Sequence, residues 1–424
     1  MRGQAATALA LWASVWASPL TAQNTPSAPA AVPVTPAAAQ AVGSEPFVAQ
    51  ETLKRGDEAQ EDPLAEELSQ PEPDWDKRPD DLSVYASLRL RYRVTEGEGL
   101  FGDGGTRAGA TGRYQARPQL WLTGRAEIGF NVLDELDALL SPSSQSSDSN
   151  SGDSVFLRLL YAGVESPIGS LTFGKTWSAY YQVSKWTDNF QGAGGSASGT
   201  FNAGTDGGDT GTGRANRTIE ARWVMDPGRV GIGLRPAQAS LQLQYDQPVP
   251  RVEGARYGAA FGASLIWDDE EGSSIGVAYN HAFVRNADTT ALRAAGIDGD
   301  ARALLAGARW LSARWNVASV VARLLDQETT NESQYFDGWG WEVYAQYQVG
   351  ARVFLVGGWN WLQPDSGQPQ AGAFEIKYAL LELRYALRGF TRMLYANLRL
   401  DAGHNADGTA QPNVFTVGIR FDLP

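Results

Sequence analysis

NVFTVGIRFDL, residues 413–423, alternates from end to end. Phe415, Val417, Ile419, Phe421 and Leu423 fall on one side, and Thr416, Gly418, Arg420 and Asp422 on the other. Successive side chains of a strand point to opposite faces of its sheet, so this period of two predicts one apolar face and one polar face. The pattern recurs from Leu82 onward. LSVYASLRLRYRV (82–94) sets Val84, Ala86, Leu88, Leu90 and Tyr92 against Tyr85, Ser87, Arg89, Arg91 and Arg93. WGWEVYAQYQV (339–349) sets Trp339, Trp341, Val343, Ala345, Tyr347 and Val349 against Glu342, Gln346 and Gln348. A soluble sandwich also alternates, with its apolar face inside.

The connections separate the two architectures. EGEGLFGDGG (96–105), SPSSQSSDSNSGD (141–153) and GGSASGTFNAGTDGGDTGT (194–212) are long and polar. ESPIG (165–169), DDEEG (268–272), SAR (312–314) and VGAR (349–352) are short, and the two kinds take turns along the chain. Outer-membrane barrels have this rhythm, because one rim faces the periplasm and carries tight turns while the other faces outward. Strand-length stretches fall near 82–94, 106–114, 120–132, 155–164, 170–180, 217–225, 239–245 and 257–267. Others fall near 274–284, 303–311, 315–325, 339–349, 353–361, 374–386, 392–401 and 413–423. The fold class is therefore all-β, a transmembrane antiparallel β-barrel of about sixteen strands. Its lumen receives the polar faces, since three arginines of the first strand turned to lipid would each cost about 2–4 kcal/mol near mid-bilayer. In FEIKYALLELRYAL (374–387), a bulge near Leu380–Leu381 would hold Glu375, Lys377, Glu382 and Arg384 all inside.

The bulk composition agrees. The 424 residues carry 35 Lys+Arg against 48 Asp+Glu, a net charge of −13, which offers nothing to nucleic acid. Cysteine is absent, so disulfides, thiolate metal sites and cysteine nucleophiles are excluded. With only two histidines, His281 and His404, there is no imidazole cluster for zinc, and no cofactor is implied. Fourteen Trp, 15 Tyr and 15 Phe suit aromatic girdles at membrane interfaces. Residues 1–22 read as an export signal, with Arg2 before an apolar run and small residues at Ala17, Ser18 and Ala22. Residues 23–79 form an Ala/Pro-rich, acidic leader, too poor in apolar surface to offset its ordering entropy. The barrel domain takes 80–424.

Several segments resemble the general diffusion porins of Gram-negative outer membranes, which are trimers of sixteen-stranded barrels. TRAGATGRYQ (106–115) is similar to that family's second strand, with Arg107 as a lumen arginine. VFLRLLYAGVESPIGSLTFGKTWSAYYQVSKWTDNF (155–190) is similar to its fourth and fifth strands running into the third loop, with Arg158 as a second. GRANRTIEARW (213–223) is similar to the segment after that loop, with Arg214 as a third. The resemblance implies a third loop folded into the barrel at mid-height. It implies a constriction of Arg107, Arg158 and Arg214 facing loop acid Asp188, with Asp206 and Asp209 as possible partners and Tyr85, Arg89 and Arg91 as further lumen residues. The chain departs from the family in having Tyr85 where a wall lysine is expected, NFQGAGG (189–195) in place of an acid-plus-diglycine turn, and Asp-Leu-Pro at its end.

What the resemblance implies is an outer-membrane porin passing small hydrophilic solutes and ions by passive diffusion. It also implies a homotrimer set in outer-membrane lipid and lipopolysaccharide. A substrate-selective channel for sugars or anions is the alternative within the class. A barrel hydrolase is the alternative outside it. There His281, following Asn280, would need a nucleophile within reach, and nothing in the sequence singles out that serine.

Overall fold

The computed structural model describes residues 81–130, 155–224, 235–269, 272–285, 289–388 and 392–423. The expected signal, the leader and the serine-rich connection at 141–153 lie outside the described residues. The first strands are β1 (Asp81–Thr95), β2 (Glu98–Asp103), β3 (Arg107–Arg117), β4 (Leu120–Phe130), β5 (Val155–Ser166) and β6 (Gly169–Trp177). After a long connection come β7 (Arg214–Val224), β8 (Arg235–Pro248), β9 (Arg256–Asp268), β10 (Ser274–Arg285), β11 (Ala301–Leu311) and β12 (Trp315–Thr329). The wall is completed by β13 (Tyr335–Gly350), β14 (Val353–Pro364), β15 (Ile376–Arg388), β16 (Arg392–Asp401) and β17 (Val414–Leu423).

From β3 onward each strand pairs antiparallel with the next, and β17 returns to β1 with Leu88 opposite Phe421 and Arg89 opposite Arg420. The sheet therefore closes, and no edge is left for lipid to meet unpaired backbone. One half of β1 pairs with β3 through Asp81–Ser87, and the other half pairs with β2 through Leu90–Thr95. These two segments share a single place in the wall, so seventeen segments make sixteen wall strands.

β2 lies within the stretch expected to be a polar loop. Its Leu100 and Phe101 are both exposed, and Phe101 lies on the outer face, where its ring packs on Tyr92 with centroids 4.7 Å apart. The break between β2 and β3 is repaired locally. Asp103 Oδ1 accepts from the Thr106 amide at 2.7 Å, while the Thr106 hydroxyl accepts from the Arg89 amide at 3.0 Å. Gly105 takes φ +98°, a conformation that favours glycine.

Burial follows the predicted alternation. Leu82, Val84 and Leu88 are exposed on the outer surface, whereas Ser87 and Arg89 are buried inside. Along β13, Trp339 and Trp341 face out and Glu342 and Tyr344 face in. The expected bulge at Leu380–Leu381 is absent: β15 pairs in unbroken register with β14 from Ile376 to Tyr385. Leu380 therefore points inward and packs with Phe190, Tyr344, Val356 and Tyr378. Lys377 takes the outward parity near the strand end and meets Glu375 at 3.7 Å. The inner surface tolerates Leu380 because part of that surface is a packed core.

Candidate pore constriction

A sixteen-stranded barrel is wide enough to leave an aqueous channel. Here much of the inner wall of β9 to β14 is instead apolar and small. Ala278, Ala303, Ala318 and Ala322 join Leu305, Val320 and Leu324 in a cluster completed by Tyr180, Val183 and Trp186. Those last three residues belong to the 178–213 connection between β6 and β7, which carries the short helix α1 (Tyr181–Ser184). Glycines form seats for it. A Cβ at Gly276 would meet the Trp186 ring, one at Gly358 would run into the Phe190 ring, and one at Gly340 would run into the Ala197 carbonyl.

Polar side chains of the wall hold the backbone of this segment. Glu342 on β13 accepts from the amides of Ala197 and Ser198 at 2.8 and 2.7 Å and from the Thr187 hydroxyl. Glu382 on β15 accepts from the amides of Gln191 and Gly192 at 3.0 and 3.3 Å, and Glu328 on β12 accepts from that of Ala203 at 3.1 Å. Asn360 Oδ1 accepts from the Ser196 amide at 3.0 Å, and Arg384 donates to the Asn189 backbone carbonyl. Nearer the root of the segment, Gln242, Gln244 and Asn280 bond the carbonyls of Gly211, Gly208 and Thr210. Ser178 and Gly213 close the root by an amide-to-carbonyl bond of 2.9 Å.

Facing the remaining lumen is a basic arc. Moving strand by strand from β15 through the β17–β1 seam to β7, it comprises Arg384, Arg420, Arg89, Arg107, Arg158 and Arg214, all buried. Carboxylates are set among them. Arg384 meets Glu382 at 2.6 Å, Arg420 meets Asp422 at 2.7 Å, and Arg158 meets Glu127 at 2.9 Å. Arg214 meets Asp206 at 3.3 Å and lies 5.6 Å from the Trp177 ring centroid. Arg89 differs from these. Its Nε donates to Ser87 Oγ at 2.9 Å, its Nη2 is buried with no hydrogen-bond partner among the described residues, and its cross-strand neighbour is another arginine, Arg420.

Among the loop acids considered from sequence, Asp206 meets the wall, bonding Lys175 at 2.7 Å as well as Arg214. Burial opposes its ionisation, but Arg214 and Lys175 outweigh it and hold the carboxyl below its ordinary value. Asp209 accepts from Asn216 at 2.9 Å. Asp188 is 1% exposed and accepts from the Tyr181 hydroxyl of its own segment at 3.1 Å, while its Oδ1 has no partner among the described residues. Burial, with Glu342 adding to it, pushes its carboxyl up to about 8. A fixed loop charge was expected there, and the site instead holds a proton near neutrality. Tyr85 donates to Glu127 at 2.6 Å and accepts from Arg125 at 2.8 Å.

Glu127 was not named from sequence, and Arg384, Arg420, Glu342 and Glu382 were read as polar-face residues without a place at the constriction. Each sits at a polar position of an alternating strand, which is a detectable signal. Which of these positions lie at the height of the 178–213 segment is set by strand stagger, and a single strand does not carry that information.

The pH dependence follows in sign. Between the ordinary carboxylate value and about 8, the folded chain keeps a proton at Asp188 that an unfolded chain has released. Raising pH through that value ionises Asp188, lowers stability and adds a negative charge beside the passage. Cation preference should therefore rise between pH 6 and 9 in reversal-potential measurements, and Asp188→Asn should remove that rise. A pH response identical in the Asn variant assigns the titration elsewhere.

A family model described as Gram-negative porin matches residues 30–399. No curated protein sequence matches the chain. Among solved structures, OmpF of Salmonella typhi aligns with TM-score 0.65 at 18% identity, covering 81% of this chain and 97% of that one. An anion-selective porin from Comamonas acidovorans aligns with TM-score 0.57 at 14% identity, covering 81% and 100%. The trimer form of OmpT from Vibrio cholerae aligns with TM-score 0.52 at 15% identity, covering 82% and 100%. At these identities the likeness is one of fold.

Proposed function

The chain belongs to the Gram-negative porin family and forms a channel of the outer membrane, and from that premise we propose that small hydrophilic solutes and ions diffuse passively between the basic arc and the 178–213 segment. It is a channel rather than an enzyme. The observation that carries the proposal is the way the segment is held. Carboxylates of β12, β13 and β15 accept from its backbone amides, its Asp206 meets Lys175 and Arg214 of β6 and β7, and Arg107 and Arg158 line the wall on β3 and β5. A narrow passage with opposed charges sorts solutes by size and ions by sign. Swelling of liposomes carrying the purified protein, measured with neutral sugars of increasing size, tests it. Permeation should fall steeply with size, and equal rates for all sizes would contradict a constriction.

An anion-preferring channel is the second reading, and Arg89 favours it. A buried guanidinium with an unused donor and an arginine for a neighbour is a place where a permeating anion is stabilised. Arg89→Gln should lower chloride preference. An unchanged reversal potential removes this support.

The homotrimer belongs to the proposal as well, and the apolar outward faces of the wall strands support a barrel that meets lipid or a second subunit. Native mass spectrometry reads that state directly. So do the signal over 1–22 and the leader over 23–79, for which N-terminal sequencing of the mature protein should begin near Gln23.

A further inference from the structure

Phe354, Ala386 and Met393 lie at the turn ends of β14, β15 and β16 and form a small apolar cluster. Their strand neighbours Leu355, Tyr385, Leu387 and Leu394 are exposed on the outer face, so all three point into the lumen. Register carries this patch on to two arginines. Met393 is the cross-strand partner of Arg420, and Arg420 is that of Arg89. None of these five residues is more than 4% exposed. The rim of a water-filled barrel should wet such side chains, because a sheet covers its own face only with a second layer. The 178–213 segment covers the level above, where its Phe190 packs on Val356, and the Phe354 cluster is separate from that one.

The two arginines lack acceptors. Arg420 meets Asp422 through Nε and Nη2. Its Nη1, like Nη2 of Arg89, is buried with no hydrogen-bond partner among the described residues. A buried guanidinium donor left unmet is costly. The place therefore combines an apolar floor with two unmet cationic donors. It fits an occupant that is acidic and carries a large apolar side chain.

The chain supplies such a stretch at the same rim. β1 starts at Asp81, paired with Arg113, at the end of the barrel that carries the short turns. Residues 61–76, EDPLAEELSQPEPDWD, hold seven carboxylates and no Lys or Arg, with Trp75 between Asp74 and Asp76. β15 is three strand spacings from β1, by way of β17 and β16, which is about 14 Å along the wall. Trp75 is six residues before Asp81, a reach of about 20 Å when extended. The stretch is long enough to arrive.

We propose that residues 61–76 turn back into the barrel from its periplasmic rim, seating Trp75 on Phe354, Ala386 and Met393 and bringing Asp74 and Asp76 to Arg89 and Arg420, so that the chain narrows its own channel. A permeating anion would meet the arginines but would gain nothing from the apolar floor, whereas this stretch satisfies both. It thereby competes with permeating anions for Arg89. The inference rests on the channel reading and adds to it an occupant built into the chain.

Because cysteine is absent, disulfide trapping in the purified full-length protein reads the contact directly. Trp75→Cys with Met393→Cys is oxidised in detergent beside Trp75→Cys with Ser166→Cys. Ser166, at the β5–β6 turn, is three strand spacings from β1 in the other direction, so an unattached leader would reach both alike. A disulfide needs Cα atoms within about 7 Å. The Met393 pair should cross-link within one subunit, read by intact mass and gel mobility before and after reduction, and the Ser166 pair should not. A second variant, Asp74→Asn with Trp75→Ala and Asp76→Asn, touches no strand residue and so keeps the barrel intact even if Met393→Cys misfolds. Its single-channel conductance should rise. Losing two carboxylates about 7 Å from a permeating ion should also move the permeability ratio roughly sevenfold toward anions. A leader lying beyond the screening length of about 10 Å would shift nothing.

Equal cross-linking of the two pairs, cross-linking only between subunits, or none at all overturns the proposal. So does a second variant whose conductance and reversal potential match the wild type. Any of these with a conducting wild type counts against the docked stretch and leaves the channel reading standing. A folded wild type that does not conduct removes the channel reading itself.

Discussion

Glu342→Ala combined with Glu382→Ala should release the 178–213 segment from the far wall and raise single-channel conductance. Glu342 satisfies two backbone amides and a hydroxyl, and Glu382 satisfies two more amides, all in a region from which water is largely excluded. Each buried donor left without an acceptor costs about 1–3 kcal/mol. Removing both carboxylates therefore makes the attached conformation several kcal/mol less favourable than one in which those amides reach water. The sixteen wall strands keep their own ladders, so the barrel should remain folded by heat-modifiable mobility. The expected recording has larger and noisier steps, with larger sugars admitted in liposome swelling. Glu342→Gln should behave between wild type and Ala, because the amide oxygen still accepts but without charge assistance. Conductance unchanged in the double Ala variant would mean that the glycine and alanine seats alone hold the segment.

The second large effect concerns ion selectivity. Arg107→Gln with Arg158→Gln removes two cations from the arc while Glu127 remains. A unit charge about 7 Å from a permeating ion is worth roughly 0.6 kcal/mol in water. Salt near 0.1 M cuts that by about half. Cations gain and anions lose this amount for each arginine, so the permeability ratio should move roughly sevenfold toward cations. Reversal potentials in a salt gradient measure the shift. If they do not move, the arc does not govern selectivity.

The wall of this barrel was legible residue by residue. Alternation in 413–423 and 339–349 assigned Ile419, Arg420, Trp341 and Glu342 to the faces they occupy, because a period of two is a local property of the strand. Leu380 broke the pattern for a reason that is not local. An apolar side chain can face inward where a loop from across the barrel covers it, and here Phe190 does so. The same cause hid the small residues Ala278, Ala303, Gly276 and Gly340, which read as featureless in their own strands and are seats for Trp186, Val183 and Ala197. Asp188 shows the corresponding limit for the site. The family resemblance implied a charge facing the passage there, but burial beside Tyr181 decides its protonation, and burial is a tertiary property. β2 was read as loop because glycines and acids dominate 96–105, although Phe101 gives it an outward apolar contact with Tyr92.

The most direct test of the account is planar-bilayer recording on the purified protein, wild type beside the Glu342→Ala/Glu382→Ala variant. The account predicts discrete, stable conductance steps for the wild type and larger steps for the variant, since an open barrel is narrowed by a segment that those two carboxylates hold. Absence of conductance in both proteins, with folded barrels confirmed in the membrane, would contradict it.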